Sequence, residues 1–197
     1  MNVMGLVVRR LFLFSSALSI LVLLMPARAD TVYSYTGNPF TNGVTQNGLT
    51  SLPVGPFTAS DSVSGSFTVA TPIGGVLHLV TPTSFSFTDG VDTLTNLNST
   101  LSSFEASTDF SGNIVDWHIF ARIVGGNNAF IDTSDIMGTA ADEGLETDNQ
   151  GHLVGAENLD DPGKWTVSTT VPEPSSLLLL ASGAIGLAGV LRKRWLA

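Results

Sequence analysis

Apolar residues follow two different patterns along the 197-residue chain. Residues 11–24 form an almost unbroken apolar run, and residues 175–191 form another that includes four consecutive leucines, 177–180. Between these runs, apolar positions recur every second residue, in short stretches interrupted by Gly, Asn, Asp, Pro and Ser. A period of two marks strands with one buried face, and the interrupting residues mark turns.

The clearest alternating stretch is residues 115–123. Val115, Trp117, Ile119, Ala121 and Ile123 are expected on an inner face, with Asp116, His118 and Arg122 on the outer one. Val63, Phe67 and Val69 alternate with Ser and Thr in a second stretch. Phe85 and Phe87 alternate with Ser84 and Ser86 in a third, and residues 164–168 supply a last strand. Asp89-Gly90 is a strong hairpin signal between Phe87 and Leu94. Ser111, Gly112 and Asn113 are expected to turn the chain before the strand from Ile114. Gly125, Gly126, Asn127 and Asn128 turn it before Phe130. Residues 36–56 and 135–161 are expected to be loop and irregular. Roughly eight strands with polar outer faces predict an all-β, antiparallel β-sandwich or jelly-roll-like domain, with a closed barrel as the alternative. Outer faces of Ser, Thr and Asp exclude a lipid-facing band, and with it a membrane-spanning barrel.

The first apolar run has the anatomy of a signal peptide. Arg9 and Arg10 precede it, Met25-Pro26 ends it, and Ala27-Arg28-Ala29 places small residues where a signal peptidase reads them. Its fourteen residues are short for a spanning helix. The expected cleavage follows Ala29 and makes Asp30 the first mature residue. The alternative is an uncleaved N-terminal anchor.

The second run sits in a tripartite tail. Val171, Pro172, Glu173 and Pro174 are stiff and non-helical, since proline fixes φ and disfavours helix in the residue before it. A transmembrane helix is expected over about 175–191, at the lower length limit for a span. Arg192, Lys193 and Arg194 then form a stop-transfer cluster that stays cytoplasmic, leaving the preceding domain outside. In this order the three parts resemble the PEP-CTERM sorting signal of Gram-negative bacteria, over residues 171–197. That resemblance implies recognition at Pro172, Glu173 and Pro174 by an exosortase-type membrane protease. It also implies an association with extracellular polysaccharide and biofilm. The alternative is a plain single-pass anchor on a proline-containing stalk.

Charge sharpens this picture. Six of the eight basic residues flank the apolar runs, and all seventeen acidic residues lie from Asp30 to Glu173. Residues 30–174 thus hold two basic and seventeen acidic residues, a formal −15. Such a surface excludes nucleic acid as a partner and suits a soluble extracytoplasmic domain. The chain has no cysteine, so disulfides, thiolate metal sites and a cysteine nucleophile are excluded.

Candidate chemistry is sparse. The sequence lacks a G-x-S-x-G elbow, a phosphate-binding glycine loop and an H-E-x-x-H helix. His78, His118 and His152 are far apart in sequence, and His118 belongs to a polar strand face. Asp142, Glu143, Glu146 and Asp148 crowd one acidic stretch, expected to be a loop. Calcium takes several oxygen ligands, but the spacing lacks a ligand register, so a solvated loop competes with a calcium site.

These readings converge on three segments: a signal peptide over 1–29, an extracytoplasmic β-domain over 30–170, and a sorting tail over 171–197. The expected role is a non-enzymatic surface or extracellular-matrix protein with no cofactor. Its expected partners are the translocation machinery, signal peptidase, an exosortase-type protease, the membrane and extracellular polysaccharide. The alternative is a carbohydrate- or calcium-binding module held permanently in the membrane.

Overall fold

The computed structural model describes residues 29–124 and 128–170, together with Gly183 singly. Contacts divide the chain into Asp30–Thr170 and a second unit made of Met1–Ala29 with Val171–Ala197. The expected signal helix, Pro172, Glu173 and Pro174, the helix over 175–191, and Arg192, Lys193 and Arg194 lie outside the described residues, as do Ala27 and the turn residues Gly125, Gly126 and Asn127.

The described part of the domain is all-β, with thirteen antiparallel strands rather than about eight. They are β1 (Asp30–Thr36), β2 (Asn42–Thr45), β3 (Gly48–Thr50), β4 (Ser64–Val69), β5 (His78–Leu79), β6 (Ser84–Thr88), β7 (Thr93–Thr95), β8 (Ser99–Thr108), β9 (Ile114–Ile123), β10 (Phe130–Ile136), β11 (Thr139–Thr147), β12 (Leu153–Leu159) and β13 (Lys164–Thr170). Two sheets result. The five-stranded sheet runs β13-β1-β4-β6-β7, and the eight-stranded sheet runs β3-β2-β12-β11-β10-β9-β8-β5. Strands β8 to β12 form a meander, which short turns allow because consecutive antiparallel strands need no crossover.

A shared aromatic core joins the sheets in a sandwich. Tyr33, Tyr35, Phe67, Phe85, Phe87 and Leu94 from the smaller sheet are buried in one cluster with Phe104, Trp117, Ile119, Ala121 and Ile131 from the larger. Phe67 meets Phe104 edge-to-face across the layer, with ring centroids 4.7 Å apart. Trp165 of β13 reaches Tyr35, Phe67, Phe87 and Trp117. Aromatic pairs of this geometry add about 1 kcal/mol each beyond the area they bury. Two of the expected turns are present: Gly90 and Gly112 both adopt positive φ, at 95° and 84°. Asp109 ties the second turn by accepting the N–H groups of Ser111 and Asn113.

Three expectations are corrected. Residues 36–56 contain the β2–β3 hairpin, and Gly48 closes its turn at φ 111°. Residues 135–161 contain β11 and β12, so the acidic stretch from Asp142 is mostly strand. Val115 does not face inward. The register passes from Thr108↔Ile114 to Ser107↔Asp116, a β-bulge that removes Val115 from the alternation. Ile114 is buried and Val115 is 46% exposed, whereas Trp117, Ile119 and Ala121 face inward as expected.

Candidate functional site

The two ends of the domain form one structural feature. β1 begins at Asp30, directly after the expected signal-peptidase site at Ala29, and β13 ends at Thr170, directly before Val171. The two strands pair along their whole length, and Asp30 is the cross-strand partner of Thr170. The Thr170 hydroxyl donates to the Asp30 carbonyl at 3.1 Å. The first residue of β1 and the last residue of β13 therefore sit side by side at one end of the smaller sheet. Of the expected processing residues, Ala29 and Asp30 are described.

A second feature lies on the outer face of the larger sheet. Asp132 of β10 pairs across to Glu143 of β11, Glu143 to Glu157 of β12, and Glu157 to Asn42 of β2. Directly opposite side chains on one face are about 5 Å apart at Cβ, so three carboxylates stand in a row. Burial pushes the Glu143 carboxyl up to about 7, and the neighbouring Asp132 and Glu157 push it further the same way. Burial raises Asp132 too, against the opposing pull of His118, whose Nε2 lies 3.5 Å from Asp132 Oδ1. Glu157 Oε1 is buried without a hydrogen-bond partner. Phe120 and Phe130 flank the row, half-buried and tilted against each other at 5.0 Å. A half-open aromatic pair beside carboxylates, an amide and an imidazole suits a polar ligand with an apolar face.

The four calcium candidates do not converge. Successive strand residues face opposite sides: Asp142 points into the core and Glu143 out of it. Asp142 is 1% exposed and accepts the Tyr35 hydroxyl at 2.9 Å. Burial raises its carboxyl to about 6. Asp148 lies past β11 and accepts the N–H groups of Gln150 and His152, with the His152 bond the main cause of its lowered pKa. Among the described residues, no group of three or more His, Cys, Asp or Glu side chains is placed to hold a metal ion. His78, on β5, aligns through Ala106 of β8 with Trp117 of β9 rather than with His118, and His152 lies beside Asp148. A cleft of about 300 Å³ near β5, lined by Val69, Pro72, Ile73, His78, Thr81 and Thr83 among others, has no carboxylate in its wall.

The acidic row was not foreseen. Its members are far apart in sequence, and only the register of four strands aligns them. Asp132 alone stands just before the stretches that read as loop or irregular, whereas β11, β12 and β2, which carry Glu143, Glu157 and Asn42, fall within them.

The fold defines an all-β domain of two antiparallel sheets that passes directly from its last strand into a C-terminal segment. That segment matches the family model of the PEP-CTERM protein-sorting motif over residues 170–194. No curated protein and no solved structure matches the chain. The tail is thus a PEP-CTERM sorting signal. Such a signal implies export, a membrane-associated precursor and processing by an exosortase-type membrane protein.

Proposed function

We propose that this chain is a non-enzymatic surface or extracellular-matrix protein whose β-domain is the working part, delivered by a cleaved signal peptide and a removable sorting tail. The observation that carries this reading is the sorting motif at residues 170–194, which begins where β13 ends. All thirteen described strands lie within Asp30–Thr170, so the described fold needs no residue of the sorting motif beyond Thr170. The domain's acidic, hydroxyl-rich surface suits a hydrated polymer layer.

Replacing Pro172, Glu173 and Pro174 by alanine tests this in the host. The reading expects the variant to accumulate in the membrane fraction while the wild type reaches the surface or medium. Identical partitioning of the two would contradict it.

The outer face of the larger sheet favours a further role in holding extracellular polysaccharide. Phe120 and Phe130 offer a stacking surface, and Asn42, His118, Asp132 and Glu143 offer directional hydrogen bonds to sugar hydroxyls. Calorimetry of the domain with the host's purified extracellular polysaccharide tests the role. Binding that falls at least tenfold on Phe120→Ala or Glu143→Gln supports it, and no heat with the wild type rejects it.

A further inference from the structure

The two sheets have four edges, and they differ sharply. β7, β3 and β5 are strands of three, three and two residues. Short edge strands blunt the template that an unpaired edge offers to other chains. The fourth edge, β13, is seven residues long and pairs with β1 over its full length, and no described strand lies on its other side. All of its residues except Trp165 are exposed, and Val167 keeps 40% of its surface open on the side that faces the core. Its sequence, Lys-Trp-Thr-Val-Ser-Thr-Thr, is rich in β-formers, has no proline, and carries one charge, at its far end. Among the described residues, Lys164 at one end of the strand is the one usual protection of an edge found here.

We propose that β13 pairs antiparallel with β13 of a second copy about a two-fold axis at Val167, joining two five-stranded sheets into one of ten strands. The register is self-complementary. Val167 would oppose its own counterpart, Thr166 would oppose Ser168, Trp165 would oppose Thr169, and Lys164 would oppose Thr170. No like charges meet, in a domain otherwise so acidic that most self-contacts would bring carboxylates together. The partner strand would cover the open flank of Val167 and extend the core next to Trp165. A two-fold contact of this kind closes on itself, so it yields a dimer rather than a fibre.

The absence of native cysteine makes the register directly testable. Opposed strand residues have Cα atoms about 4.5–5.5 Å apart, within disulfide reach. The experiment uses the full-length exported chain with one cysteine, at position 166, 167 or 168. Val167→Cys is expected to give a disulfide-linked dimer, at least fivefold above Thr166→Cys or Ser168→Cys alone; co-expression of those two is expected to cross-link as heterodimers. Adding Thr166→Glu with Ser168→Glu to Val167→Cys is expected to abolish its cross-link. A co-expressed Val167→Cys chain with Thr166→Lys and Ser168→Lys is expected to restore it. Restoration by opposite charges on two exposed positions cannot come from misfolding. Equal cross-linking at 166 and 167, a Val167→Cys chain that stays monomeric with circular dichroism unchanged from wild type, or a cross-link to a different protein would each overturn the proposal.

Discussion

Asp30 and Thr170 are cross-strand partners, the first residue of β1 against the last of β13, joined also by the Thr170 hydroxyl and the Asp30 carbonyl at 3.1 Å. Asp30 follows Ala29, the expected signal-peptidase site, and Thr170 opens the sorting motif. β1 is a central strand with its own ladder to β4, so its start must be intact for the smaller sheet to close.

N-terminal sequencing of the exported protein is therefore expected to return Asp30, Thr31, Val32. A start beyond Tyr33 would remove a core ring, and a start before residue 24 would show that the first apolar run is retained.

Tyr35 and Asp142 form the main buried polar contact between the sheets. The Tyr35 hydroxyl donates to the Asp142 carboxylate and accepts the Gly163 N–H at 2.8 Å. Tyr35→Phe removes one of the two side-chain hydrogen bonds to the buried Asp142 carboxyl, Thr133 supplying the other, and strips the Gly163 N–H of its acceptor, which costs about 1–3 kcal/mol. Urea unfolding monitored by tryptophan fluorescence is expected to show that loss. A change below about 0.5 kcal/mol would mean that Asp142 finds another partner.

Stability is expected to increase on mild acidification. Burial raises Asp89 and Asp142 to about 6 and Glu143 to about 7, all above their ordinary values. A carboxyl with a raised folded-state pKa contributes stability that is fully present below its unfolded value, near 4. That stability is lost as pH rises through the folded value. The window is pH 4 to 7, and a fully buried carboxyl contributes on the order of 2–3 kcal/mol across it. Asp89 is completely buried, and its Oδ2 has no hydrogen-bond partner. Asp89→Asn is therefore expected to raise stability at pH 7.5 and flatten the pH profile. A wild-type profile that falls steadily from pH 7 to pH 4.5 would contradict the burial of these groups.

Gly144 lies where β11 crosses Asp89 and Phe57. A Cβ there would come within 2.7 Å of Asp89 Cβ and Oδ2 and 2.9 Å of Phe57 Cε1. Gly144→Ala is expected to cost about 1–3 kcal/mol through overpacking. Gly74→Ala, whose nearest neighbour would be His78 Cε1 at 3.9 Å, is the control and is expected to be nearly neutral. Equal thermal midpoints for the two variants would refute the close packing at Gly144.

Much of the β-domain was legible because its central strands obey simple alternation. Trp117, Ile119 and Ala121 were placed correctly by period alone, and the turns at Gly90 and Gly112 by their residue types. β11 was not legible because its inward face carries Asp142 and Gly144 in place of hydrophobic residues. Asp142 is tolerated there by Tyr35, 107 positions away, and Gly144 is needed for the approach of Asp89. β2 was hidden for a similar reason: a Cβ on Gly43 would meet the Leu52 carbonyl oxygen, so a strand position looks like a turn residue. The bulge at Val115 is set by pairing with β8 and leaves no local mark. The sorting tail, by contrast, was readable because its three parts are contiguous and chemically distinct. The acidic row on the outer face needed the registers of β10, β11, β12 and β2, which no single stretch encodes.

The central claim is that the tail is a removable sorting signal and that the β-domain is what remains. The most direct measurement is the intact mass of the mature protein from its host, compared with a host strain lacking its exosortase. The account predicts a wild-type polypeptide running from Asp30 to a C-terminus near Pro172, Glu173 or Pro174, with the tail retained in the mutant strain. A wild-type mass extending to Ala197 would contradict it and leave a permanently anchored membrane protein.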